Sequence, residues 1–138
     1  MIILDTNVFS EMLKPVPSTR VFHWLAAQES QDVFLTAITL AELFQGVEMM
    51  PSGRRRTDLH DAIESTLNAD YAGRVLAFDD LAARPYAKIL AGRKALGRPI
   101  SQSDGMIAAI ARARGFVVAT RNLSDFEHCG IRVVSPWA

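Results

Sequence analysis

The sequence predicts an α/β fold, a single domain over residues 1–138 with a mainly parallel central sheet of about five strands and helices on both faces. Three observations carry that expectation. Short apolar runs alternate with longer stretches of helical periodicity along the whole chain. The short runs are apolar at every position rather than at every second one, the pattern of strands buried on both faces. No internal repeat, low-complexity tract or linker interrupts the alternation, and the length suits one domain.

The first strand is Ile2-Ile3-Leu4, stopped by Asp5. Val8, Phe9, Met12 and Leu13 follow at helical spacing, and Pro15 and Pro17 end that helix. Ser18 can cap the next helix, with Val21, Trp24 and Leu25 inward. Val33-Phe34-Leu35 reads as the second strand. A helix over 38–50 then places Leu40, Leu43, Phe44 and Val47 on one side. Pro51-Ser52-Gly53 is a break. Residues 54–70 form an amphipathic helix with Leu59, Ile63 and Leu67 at steps of four. Residues 75–78 read as the third strand. Asp79 or Asp80 opens a helix that runs to Ala95, closed by Gly97 and Pro99. Ser101 or Ser103 opens the last helix, with Met106, Ile107 and Ile110 inward, and Gly115 ends it. Residues 116–119 and 132–134 supply the fourth and fifth strands.

Composition narrows the function classes. No apolar run is long enough to cross a bilayer. The N-terminus meets an acid at position 5 and lacks the basic start and apolar stretch of a secretory leader, so a soluble cytoplasmic protein is expected. Cys129 is the only cysteine, which excludes an intramolecular disulfide and a cysteine-based zinc site. Net charge is zero, so the whole-molecule field makes no case for nucleic acid. Twelve of the fifteen basic residues are Arg, whose fork matches phosphate geometry better than Lys does; a base-composition bias in the gene gives the same count.

In open α/β sheets ligands sit at the carboxyl ends of the strands. Asp5 directly follows strand one, and Asp125 lies in the loop after strand four, beyond Thr120-Arg121-Asn122. Asp104 falls within one turn of a helix cap, and Glu42 is near the start of the helix after strand two. Each has an ordinary explanation alone. Asp104 can be a dipole-favoured acid, Glu42 a solvated helix residue and Asp125 a turn residue. Asp5 is harder to dismiss, because an acid closing a buried strand needs a partner. Four carboxylates brought together would repel one another unless a cation is bound. All-oxygen ligands suit Mg²⁺ or Mn²⁺, and the absence of a His near Asp5, Glu42 or Asp104 argues against zinc. Such an ion can activate water and neutralise a phosphoryl oxygen.

These pieces resemble PIN-domain proteins, specifically the toxin subunits of VapBC-type toxin–antitoxin pairs, including the FitB-like branch. The matching segments are Ile3-Leu4-Asp5-Thr6-Asn7, Thr39-Leu40-Ala41-Glu42-Leu43 with Gly46, Pro99-Ile100 through Asp104 to Ala111, and Ala119-Thr120-Arg121-Asn122 with Asp125-Phe126. They occur in family order and span almost the whole chain. The resemblance implies a PIN-like fold and a Mg²⁺- or Mn²⁺-dependent endoribonuclease. It makes Asp5, Glu42 and Asp104 the core catalytic and metal-binding acids and Asp125 the fourth. Thr6, Asn7, Thr120 and Asn122 would orient ligands, water or the loop itself; Arg121, by its place adjacent to the acidic loop, could bind substrate or pair with one of the acids. It further implies a homodimer and a cognate antitoxin that covers the active-site groove and binds operator DNA.

Several features carry less. Arg54-Arg55-Arg56 could grip phosphate, but a solvated helix start is the simpler reading. His23, His60 and His128 show no ligand-like pairing, and no basic aromatic stripe for stacking bases is visible. Met49 and Met50 fit either core or a dimer face. Asp79 and Asp80 follow strand three and serve as helix-capping candidates. A response-regulator receiver would need a late Lys, but the last is Lys94, before strand four. A haloacid-dehalogenase-like phosphatase would need Asp at position 7, which is Asn. No P-loop is present. A non-catalytic RNA- or protein-binding module of the same fold is the remaining alternative.

Overall fold

The computed structural model describes residues 1–138. The elements are β1 (Ile2–Leu4), α1 (Thr6–Met12), α2 (Thr19–Ala26), β2 (Val33–Thr36), α3 (Ala37–Glu48), α4 (Arg54–Asp70), β3 (Val75–Leu76), α5 (Asp80–Ala95), α6 (Gln102–Arg114), β4 (Val117–Ala119) and β5 (Val133–Val134). Single 3₁₀ turns occupy Ser30–Asp32 and Leu123–Phe126.

All five strands are parallel, in the order β3-β2-β1-β4-β5. The chain builds outward from β1 through β2 to β3, then crosses back to place β4 on the other side of β1. The strand order therefore reverses between β1 and β4, which opens a crevice at their carboxyl ends. The register pairs Leu4 with Ala119, so one step further the chain brings Asp5 beside Thr120. The Asp5 N–H extends the ladder by donating to Ala119 O at 2.8 Å.

Successive side chains on a strand point to opposite faces, and the two halves of the core divide accordingly. Ile3 and Val118 point into a cluster with Ala82 and Ile89 of α5 and Ile107, Ala108 and Ile110 of α6. Leu4, Val33, Leu35 and Ala119 point the other way, onto Val8 and Phe9 of α1 and Val21 of α2. Leu67 of α4 and Leu40 and Leu43 of α3 border that second cluster. Helices thus cover both faces.

Helix starts follow the side chains. The hydroxyls of Ser18, Thr36 and Ser101 and the carboxylate of Asp79 each accept the N–H three residues on, satisfying a donor that the first turn leaves free. Of the paired candidates, Asp79 rather than Asp80 and Ser101 rather than Ser103 are the caps. Gly115 ends α6 at φ 71°, a left-handed conformation that glycine adopts without a Cβ clash.

Three strands are shorter than expected. β3 stops at Leu76, because its partner at that level, Thr36, already serves as the cap of α3. Phe116 stays outside β4, since its N–H closes the end of α6 on Ala111 O at 2.9 Å. β5 begins at Val133, one residue late. The helix expected over 38–50 starts at Ala37 and ends at Glu48.

Candidate active site

Asp5 sits where the topology reverses. It is 7% exposed and caps α1, its Oδ1 accepting the Thr6 N–H at 2.8 Å. Its Oδ2 accepts the Thr120 hydroxyl at 2.8 Å and the Asn7 Nδ2 at 3.3 Å. Burial pushes the Asp5 carboxyl above the usual carboxylate range, the bonds from Thr120 and Thr6 pull it back, and the charges of Glu42 and Asp125 raise it again. A buried carboxylate that senses two further carboxylates marks a concentration of negative charge.

The two loops at the crevice are tied together around this residue. Asn7 Nδ2 also donates to Thr120 Oγ1 at 3.4 Å, and Asn7 Oδ1 accepts the Arg121 N–H at 3.2 Å. The Asn122 N–H donates to Thr120 Oγ1 at 3.1 Å. Thr120 is fully buried, and its hydroxyl donates to Asp5 while accepting from Asn7 and Asn122. Thr6, Asn7, Thr120 and Asn122 therefore form one network whose centre is the Asp5 carboxylate.

Glu42 is exposed and lies in the second turn of α3, slightly later than its expected place. The Thr6 hydroxyl donates to Glu42 Oε1 at 2.8 Å and contacts the hydroxyl of Thr39 at 3.0 Å. With its proton on Glu42, Thr6 accepts from Thr39. Asp104 is half-buried in the first turn of α6, its N–H donating to Ser101 Oγ at 3.1 Å. Burial raises its carboxyl, and the charge of Asp5 adds to that. Ser101 lowers it, Asp125 raises it and Arg93 lowers it. Asp125 is exposed in the 3₁₀ turn after β4. Each of the four acids thus lies within electrostatic range of at least one other.

The site is loose rather than closed. No three Asp, Glu, His or Cys side chains stand close enough to form a finished metal cage. The donor chemistry is nevertheless that of a hard divalent cation: carboxylate and hydroxyl oxygens. Drawing these acids around Mg²⁺ or Mn²⁺ would require side-chain rotation by exposed Glu42 and Asp125, which have solvent beside them.

The burial of some contributors carried no signal in the sequence. Thr39 is fully buried behind Thr6, and Arg93 is 4% exposed near the end of α5. Neither residue type announces burial, and both positions depend on elements distant in the chain. Arg121 is exposed and makes no ion pair with any of the four acids; its guanidinium lies 5.1 Å from the Trp137 ring centroid. Arg56 pairs with Glu48 at 2.5 Å, while Arg54 and Arg55 are exposed at the helix start. Met49 is 78% exposed, and Asp79 serves α5 as its cap. A groove of about 450 Å³ runs from Thr6 and Glu42 past Lys14 and is lined by Leu13, Leu43, Val47 and Ile63.

Comparison with known proteins matches residues 2–130 to the PIN domain family. A protein of Sinorhizobium fredii named VapC ribonuclease Y4jK is 47% identical over 137 residues, covering 99% of this chain and 98% of that protein. The toxin FitB of Neisseria gonorrhoeae is 42% identical over 137 residues, covering 99% of both chains. Among solved structures, a chain of the FitAB complex bound to a DNA fragment superposes with a TM-score of 0.93 at 41% identity. That match covers 100% of this chain and 96% of its counterpart.

Proposed function

The chain belongs to the PIN-domain family, and from that premise we propose that it is a divalent-metal-dependent endoribonuclease, the toxin subunit of a toxin–antitoxin pair. One observation carries the proposal most of all. The buried Asp5 carboxylate stands at the reversal point of the sheet, anchored by three donors and in the field of Glu42 and Asp125.

In this reading the whole of 1–138 acts as one nuclease domain in the cytoplasm. Asp5, Glu42 and Asp104 hold Mg²⁺ or Mn²⁺, with Asp125 assisting. Such an ion supplies positive charge that makes a water more acidic and offsets the charge of the phosphoryl oxygens. The protein's own contribution is preorganisation. Thr120, Thr6 and Asn7 donate to the Asp5 carboxylate and favour its ionised form against the cost of burial. The Thr39–Thr6 hydroxyl relay holds the Glu42 carboxylate by its Oε1. Arg121, unpaired with the acids and held one residue beyond Thr120, meets a backbone phosphate of the RNA.

The substrate class follows the relative named a VapC ribonuclease, and the partner follows the FitAB complex on DNA. The proposal therefore includes a homodimer and a cognate antitoxin that joins it on operator DNA. Single-stranded RNA incubated with the purified protein and Mn²⁺ tests the activity. Cleavage is expected, with loss in EDTA and at least about a hundredfold loss in Asp5→Asn and Asp104→Asn. If either variant cuts at the parental rate, the site assignment is wrong. If no RNA is cut with Mn²⁺ present, the non-catalytic binding module takes its place.

A further inference from the structure

Arg93 is a buried cation without an anion. It is 4% exposed and makes no ion pair. Its guanidinium is spent on main-chain oxygens instead. Nε donates to Arg98 O at 2.6 Å, and Nη1 donates to Asp125 O and to Glu127 O, both at 2.9 Å. The Cys129 thiol lies 3.8 Å from the same Nη1. Burying an uncompensated charge is costly unless its donors are satisfied. Here the donors are satisfied by main-chain oxygens of two other segments.

The recipients of these bonds are not arbitrary. Asp125 O belongs to one of the four acids. Arg98 lies in the segment that leads into Ser101, the cap that starts the helix bearing Asp104. The same two loops are strapped a second time from outside, where Arg98 Nη1 meets Glu127 Oε2 at 2.9 Å. Arg93 thus joins three segments: the end of α5, the approach to α6 and the loop after β4.

We propose that Arg93 is a positioning residue for the acid site, fixing the Asp125 loop against the start of α6 from behind; the inference rests on the ribonuclease reading. Lysine cannot replace it, because a single ammonium does not offer a planar fork to carbonyls of both loops. Supporting residues of metal sites cost about ten- to hundredfold in affinity or activity when lost, and that is the effect expected of Arg93→Met.

The test is a double-mutant cycle on the full-length protein. Mn²⁺-dependent RNA cleavage is measured for the parent, Arg93→Met, Arg93→Lys, Asp125→Asn and the Arg93→Met/Asp125→Asn pair. Amide hydrogen exchange is followed over residues 122–129. Arg93→Met should lower kcat about ten- to hundredfold, leave KM for RNA near the parental value and raise the Mn²⁺ concentration needed for half-maximal rate. Arg93→Lys should recover little. In the Asp125→Asn background the Arg93 change should add almost nothing, whereas a general loss of structure would multiply the two effects. Exchange should rise at 122–129 and stay parental in α1 to α4. Parental kinetics in Arg93→Met, a full parental rate in Asp125→Asn, multiplicative losses, or failure of both Arg93 variants to fold would each overturn the assignment. An inert parent would instead sink the ribonuclease reading, and the exchange measurement would still decide whether Arg93 fixes the loop.

Discussion

Asp5 and Glu11 are both buried acids of the first helix region, and they respond to pH with opposite signs. Asp5 is pushed upward chiefly by burial, and Asp104 likewise. A raised carboxyl means that the folded chain holds a proton more tightly than the unfolded chain does. The metal-free protein should therefore gain stability from these two groups as pH falls through their folded values toward 3.8. At neutral pH the cost of burying them ionised, with the smaller repulsion from neighbouring acids, is fully present. In EDTA at pH 7, Asp5→Asn should raise Tm, and the gain should shrink as pH approaches 4. Glu11 is held downward by the Lys14 ammonium and the Ser18 N–H, so its stabilisation is present above its unfolded value of 4.5 and lost as pH falls through the lowered folded value. Glu11→Gln should accordingly lower Tm at pH 7. Thermal melts of the three proteins from pH 4 to 7 decide both signs; a lower Tm for Asp5→Asn at pH 7 would contradict the electrostatic account.

The same residues show how much of the site is legible in the sequence. Asp5 was conspicuous because an acid ended an apolar strand, and Asp104 and Asp125 were reachable from a helix cap and a post-strand loop. Glu42 could not be oriented from the sequence, since a helical acid can face either way; the Thr6 hydroxyl orients it. Arg93 was invisible, and Thr39 stood in a matching segment with no sign of its role, because their burial is produced by packing between elements far apart in the chain. The closeness of the acids was also illegible. Four candidate ligands in the right region do not specify whether the side chains have already converged, and here they have not.

Elements were easier to read than their ends. Helix α4 begins at Arg54 and stops at Asp70 as the periodicity and the Pro-Ser-Gly break indicate. Strand ends depend on partners, so β3 lost two residues to the early departure of β2 into its helix. Helix-on-helix distance is another tertiary quantity, and Gly105 is where it matters most. A Cβ at that position would lie 2.6 Å from Leu90 Cδ1 and 3.3 Å from Tyr86 Cε1, both on α5. Gly105→Ala should therefore push the Leu90 tip aside and cost about 1 kcal/mol, the low end of overpacking, despite alanine's better helix propensity. Because the neighbouring residue is Asp104, any backward shift of α6 also moves an acid. Pairing Gly105→Ala with Leu90→Ala removes the tip that collides. Denaturant melts should show the double variant losing less than the sum of the single losses. Full additivity would mean that the glycine is not there to let α5 approach.

At the scale of the molecule the problem is charge. The chain is neutral overall, so no long-range field draws RNA toward it, and the crevice between β1 and β4 is locally negative. A phosphodiester can approach such a crevice only if its acids are neutralised. Protonation and a bound cation are the two ways to do this, and they compete for the same oxygens. The competition makes a specific prediction. At pH 7, Mn²⁺ at about 100 times its Kd should stabilise the parent by about 2.7 kcal/mol through linkage, a rise of several degrees in Tm for a domain of this length. Asp5→Asn should reverse the order of the two conditions. It should be more stable than the parent in EDTA, because a charge disfavoured by burial and by its neighbours is gone, and gain less from Mn²⁺, because one proposed ligand is gone. The two Tm curves should therefore cross as Mn²⁺ is added. A variant that merely damaged the fold would lie below the parent throughout, and a chain that binds no cation would give two parallel lines.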